Sequence, residues 1–189
     1  MIQKKGESAV KESSKAALCG ITSALAVVVM LSTYISPFLV YAAPAFAGLL
    51  LLPVLNEINS KWALGTYITV CLVSIFIIAD KEASVFYALF FGYYPILAFI
   101  LNKKIRSRLI RFIIKLPIFN LSYVASILIC MYVFAIDFDD FTGEDILISI
   151  LYIPLLNLLF VVYDILVSRL QQLYIIRFQK KIRKLFDMK

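Results

Sequence analysis

Residues 77–97 read "IIADKEASVFYALFFGYYPIL", with Asp80, Lys81 and Glu82 set side by side between two strongly apolar runs. Charges are costly in hydrocarbon, so a charged triplet in a greasy chain marks a point where the backbone reaches water. The apolar residues on either side then read as two membrane-crossing segments that meet at one membrane surface. The same pattern recurs outward along the chain and predicts six spans, at 16–36, 38–56, 62–79, 83–101, 116–136 and 146–168. Each is close to the ~20 residues that a helix rising ~1.5 Å per residue needs to cross ~30 Å of hydrocarbon. Composition agrees. With 189 residues, 62% hydrophobic and 16% charged, the chain carries more apolar surface than a soluble domain of this size buries. The alternating pattern of a transmembrane barrel is absent, and an open sheet would strand backbone groups in lipid. The expected fold is an all-α integral membrane protein of six transmembrane helices.

Charge gives the expected orientation. Lys4, Lys5, Lys11 and Lys15 precede the first span, Lys61 follows the second, and Lys103, Lys104, Arg106, Arg108, Arg111 and Lys115 sit between the fourth and fifth. Seven more basic residues lie from Arg169 to Lys189, so of 19 in all only Lys81 falls in the other set of loops. The positive-inside rule then puts both termini in the cytoplasm. The outer loops are acidic, with Asp80 and Glu82 in one and Asp137, Asp139, Asp140, Glu144 and Asp145 in another. The net charge of +7 thus faces anionic headgroups rather than nucleic acid. The expected organisation is a basic cytoplasmic N-terminus (1–15), a six-helix domain (16–168) and a basic amphipathic tail (169–189), in a multi-pass protein of the cell membrane. In the tail, Tyr174, Phe178, Ile182, Leu185 and Phe186 fall near one face, suited to lying on the inner leaflet or docking a partner. The first apolar run is long and has no A-x-A site at its polar start, so it reads as a span rather than a cleaved leader.

The residues exclude several kinds of chemistry. There is no histidine, which removes the commonest general base and transition-metal ligand and makes a Ser–His–Asp triad impossible. Cys19, Cys71 and Cys130 all lie in apolar runs, an odd number without C-x-x-C spacing, and read as buried hydrophobes. No phosphate-binding G-x-x-x-x-G-K-[ST] occurs among the six glycines. The chain is expected not to be an enzyme, to hold no cofactor or metal, and to draw any energy for transport from a partner.

The opening stretch carries the candidate site. Asp80, Lys81 and Glu82 either form a solvated turn, with acidic charges favourable at a helix N-terminus, or contact a polar ligand at a pocket rim. Phe86, Tyr87, Phe90, Phe91, Tyr93 and Tyr94 surround most of the following helix, so some face inward as pocket wall and others face lipid or the interface. Pro95 frees a carbonyl one turn earlier and predicts a bend, and Pro154 does the same before Asn157. An amide near mid-span avoids lipid, so Asn157 is expected either to bond another helix or to touch ligand. Asn120 and Asp164 sit nearer the inner surface, Asp164 suited to pairing with Arg or Lys. In the first span Ala16, Gly20 and Ala24 recur every four residues as a small ridge, which allows close packing within the chain or against a partner.

"KAALCGITSALAVVVM" (residues 15–30) and "APAFAGLLLLPVLNEINSKWALGTY" (residues 43–67) resemble the first two helices and short inner turn of the substrate-binding S components of energy-coupling factor (ECF) transporters. The resemblance covers about residues 15–168. It implies a protein that captures a small molecule such as a vitamin from outside, working with a transmembrane T subunit and two ATPase subunits. It also implies that Ala16, Gly20 and Ala24 contact the T subunit, and that Tyr34, Tyr41, the 80–82 triplet and the 137–145 loop lie where the pocket is built. With Tyr87 and Asn157, these form the expected substrate site. The middle ridge position is Gly rather than Ala, and the histidine-led N-terminus of nickel and cobalt carriers is missing. A different class of function, a non-transporting scaffold of a cell-envelope assembly complex, uses the basic tail and inner loop instead. A stand-alone secondary transporter fits less well, since no two halves read as an inverted repeat.

Overall fold

A computed structural model describes residues 12–36, 38–135 and 146–185, with only the backbone described for 146–153, 180, 183 and 185. Lys4, Lys5, Lys11, the acidic 137–145 stretch and Phe186 lie outside the described residues. The described chain is helical, and six helices are long and apolar enough to cross a membrane. In chain order they are span 1 (Glu12–Tyr34), span 2 (Leu39–Glu57), span 3 (Ser60–Ile77), span 4 (Lys81–Lys104), span 5 (Arg108–Phe134) and span 6 (Pro154–Phe178, in a helix that begins at Ile146). These are the candidate spans of a multi-pass membrane protein.

Local chemistry sets the breaks. Asn59 caps span 3, its Oδ1 accepting from the backbone N–H groups of Lys61 at 2.9 Å and Trp62 at 3.0 Å. Span 5 stops where Ala135 adopts φ 53°, a left-handed helix terminus that closes with its N–H on the Cys130 carbonyl. Lys81 Nζ donates to the carbonyls of Ile75 and Ile78, both at 2.8 Å, and so satisfies the end of span 3. Beside it, Tyr34 Oη donates to Ile77 O and accepts from Ala79 N–H at 3.0 Å, which ties the turn after span 1 to the turn after span 3. This is the Asp80 end of the bundle. At the Glu57 end, Tyr174 Oη donates to Glu57 Oε1 at 3.1 Å and holds the end of span 6 against the short turn between spans 2 and 3.

Span 4 is the hub. Of its apolar window 61% is buried, against 22% for spans 5 and 6. Its aromatics feed three cores: Phe90 and Tyr94 pack with Leu51, Phe119 and Phe160, Tyr87 with Ala26, Met30 and Val70, and Phe86 with Val85 and Cys130. Span 1 buries Leu18, Thr22, Ala26 and Met30, one helix face at four-residue spacing.

The expected start of span 5 needs correction, and span 6 runs on past the expected 168 to Phe178. The loop between spans 4 and 5 is only residues 105–107, because Arg108, Arg111 and Lys115 lie inside the helix Arg108–Phe134. Lys115 is 3% exposed and pairs with Asp164, its Nζ 2.6 Å from Oδ1. A carboxylate on the facing helix lets a lysine enter an apolar segment, and a span edge drawn at the last charge misses it.

Candidate functional site

The aromatic wall is built on an irregular turn. Over Tyr87–Phe91 the backbone widens to a π-turn, and Gly92 N–H bonds Tyr87 O at 2.8 Å instead of Ala88 O one turn back. The stranded Ala88 carbonyl accepts from Tyr67 Oη at 2.5 Å. Pro95 has no N–H for the Phe91 carbonyl, and Tyr163 Oη, with one proton to donate, lies 3.5 Å from that carbonyl and 3.4 Å from the Ala45 carbonyl. Tyr67 thus replaces a hydrogen bond that span 4 lacks, and Tyr163 reaches the Phe91 carbonyl only at the limit of bonding distance. Two glycines make room. A Cβ on Gly48 would collide with the Phe91 carbonyl oxygen and lie 3.1 Å from Tyr163 Oη, and one on Gly92 would lie 2.6 Å from the Tyr67 ring.

Beside this turn is a cavity of about 360 Å³ between spans 2, 4, 5 and 6. Phe86, Phe90 and Phe91 come from span 4, Phe38, Tyr41, Ala42 and Ala45 from the start of span 2, Phe119 and Tyr123 from span 5, and Leu155, Leu156, Leu159, Phe160 and Tyr163 from span 6. It occupies the half of the bundle nearer the Asp80 end. Phe38 stands at the edge, 89% exposed. Among the described residues no lining side chain is charged, and the only polar side-chain atoms on the wall are tyrosine hydroxyls. The rings brace one another: Phe119 stacks on Phe160 at 4.7 Å, Phe90 meets Phe119 edge-on at 4.9 Å, and Tyr41 leans on Phe86 at 5.3 Å. Such contacts contribute about 0.5–1.5 kcal/mol each beyond burial.

Of the expected substrate residues, Tyr41 lines this cavity. Glu82 lies one turn before Phe86 on the same helix face, while Asp80 starts that helix at the same end. Lys81 and Tyr34 are engaged in the turn contacts given above. Tyr87 points to the opposite side of span 4, fully buried 6.1 Å from the Tyr67 ring, with no hydrogen-bond partner for its hydroxyl among the described residues. Asn157 meets Asn120 in a reciprocal amide pair, Asn120 Nδ2 to Asn157 Oδ1 at 3.0 Å and the return bond at 3.4 Å. Deeper still, Asp164 Oδ1 accepts from both Lys115 Nζ and Tyr94 Oη, each at 2.6 Å. Sequence reasoning did not single out Tyr123, Phe119, Phe160 or Tyr163 for the wall. Their only signal is aromatic spacing of three or four residues, 119 with 123 and 160 with 163.

Ala16, Gly20 and Ala24 are all exposed, on the face of span 1 turned away from its buried stripe. With Ser23, and with Gly65 and Thr69 of span 3, Gly20 borders an open groove. Among the described residues, no atom of another element lies within 4 Å of where a Cβ on Gly20 or Gly65 would stand.

No family model, curated protein or solved structure matches this chain.

Proposed function

We propose that the chain is the substrate-capturing subunit of an ATP-driven importer and takes up a small, uncharged, flat molecule. The observation that carries this reading is the aromatic cavity. At about 360 Å³ it falls within the range of small-molecule sites, which are apolar walls with few polar groups. A wall of rings and tyrosine hydroxyls suits a conjugated ring system with one or two hydrogen-bonding atoms. The basic residues of the Glu57 end put that end in the cytoplasm by the positive-inside rule, so the cavity lies in the outer half of the membrane. The chain has no phosphate-binding motif, so the energy comes from partner ATPases. The exposed ridge of Ala16, Gly20 and Ala24 supports docking of a transmembrane partner there, because side chains this small permit close helix approach.

The test is gentle purification of the full chain from its own host, with denaturing mass spectrometry of whatever comes with it. Wild type brings ATPase-bearing partners and a small molecule. Gly20→Leu, which puts bulk on the ridge and on no internal contact, loses the partners and keeps the molecule. A wild-type chain that carries envelope-assembly proteins, with neither ATPase nor small molecule, contradicts the importer and supports the scaffold.

A further inference from the structure

The Glu57 end holds a second concavity, about 940 Å³, between spans 4, 5 and 6. Arg108, Arg111 and Lys115 line it from one face of span 5, at spacings of three and four residues. The facing stripe on span 6 is polar where a lipid-facing helix would be apolar, with Asp164, Ser168 and Gln172 at every fourth position and Arg169 beside them. The Lys115–Asp164 pair cancels one charge of each sign. Among the described residues, Arg108, Arg111 and Arg169 then have no ion pair, so the groove keeps a positive excess. Arg111 donates to the Ile105 carbonyl at 2.9 Å. Arg108, Arg169 and Gln172 make no hydrogen bond or ion pair with any described residue. Arg108 and Arg169 border one groove and find no acceptor among the described residues, which suits them to an anion from elsewhere.

The flanks indicate which anion. Leu109, Ile165 and Ile175 also line the groove and are 76%, 54% and 46% exposed, so it opens sideways onto surface that faces hydrocarbon. We propose that this groove binds the headgroup of an anionic phospholipid, its phosphate between Arg108 and Arg169 and its acyl chains along Leu109, Ile165 and Ile175. Cationic pockets between helices at a membrane boundary recognise such headgroups. This rests on the spans crossing a membrane and not on the importer reading. Lys103 and Lys104 carry the same charge at the same end but do not line the groove, and they distinguish a site from general attraction to an anionic surface.

The experiment presents the purified full chain with micelles holding equal phosphatidylglycerol and phosphatidylcholine, and counts bound lipids by native mass spectrometry. Wild type retains phosphatidylglycerol preferentially. Arg108→Gln with Arg169→Gln lowers that retention by about tenfold or more, and Lys103→Gln with Lys104→Gln leaves it unchanged. Equal retention of the two lipids by wild type overturns the proposal, as does an equal loss in both double variants. Release of the lipid by excess glycerol phosphate would show a site for a soluble anion and would overturn it as well.

Discussion

The Tyr67 hydroxyl lies 2.5 Å from the Ala88 carbonyl oxygen and supplies the bond that the π-turn of span 4 denies to it. The contact joins span 3 to the one irregular turn on which the aromatic wall is built. Tyr67→Phe keeps the ring and removes only the donor. A buried carbonyl without a partner costs about 1–3 kcal/mol, so this variant is expected to melt measurably lower in detergent. An unchanged melting temperature would mean that the turn does not depend on Tyr67.

Gly48 and Gly20 are expected to respond oppositely to the same change. Gly48→Ala forces spans 2 and 4 apart at the Phe91 carbonyl and costs about 1–3 kcal/mol, as overpacking does. Gly20→Ala meets open space and gains about 0.5–1 kcal/mol of helix propensity. Thermal unfolding of the two variants side by side checks both signs.

Lys115 and Asp164 are expected to be worth less together than either is alone. Lys115→Met leaves the partly buried Asp164 carboxylate without its counter-charge and costs up to about 3–5 kcal/mol, and adding Asp164→Asn recovers much of that. Tyr94 Oη stays within reach of the new amide, as it is of the carboxylate. A double variant no more stable than Lys115→Met alone would show that the pair is not the dominant interaction.

The Asn120–Asn157 pair is expected to couple spans 5 and 6 modestly. Interhelical hydrogen bonds in membranes contribute about 0.6 kcal/mol on average and up to about 1.7. A double-mutant cycle with Asn120→Ala and Asn157→Ala checks it, and additive losses would show no coupling.

Much of the fold was legible in the sequence because lipid imposes a simple rule. Apolar length gave six spans, and the 80–82 triplet marked a real turn, with Lys81 closing span 3 and Glu82 in the first turn of span 4. The start of span 5 was misplaced by two turns because Lys115 reads as a loop charge until its partner is known. The inward faces of span 4 were not legible either. A π-turn adds one residue to a turn and rotates everything beyond it by about 100° relative to a regular helix. Nothing in "YALFF" announces it, since the partner of its free carbonyl is Tyr67, twenty-one residues earlier in the chain. Tyr87, which reads as equivalent to its neighbours, packs against span 3, while Phe86, Phe90 and Phe91 line the cavity.

The most direct measurement concerns the cavity itself. Ala42 is a small residue on its wall, and Ala42→Trp fills the space without removing a packed ring. Wild type and Ala42→Trp, purified alike from the native host and matched in melting temperature, are compared by mass spectrometry for small molecules released on unfolding. Capture predicts one flat, uncharged molecule from wild type and none from Ala42→Trp. An empty wild type, or the same molecule from both, would contradict it.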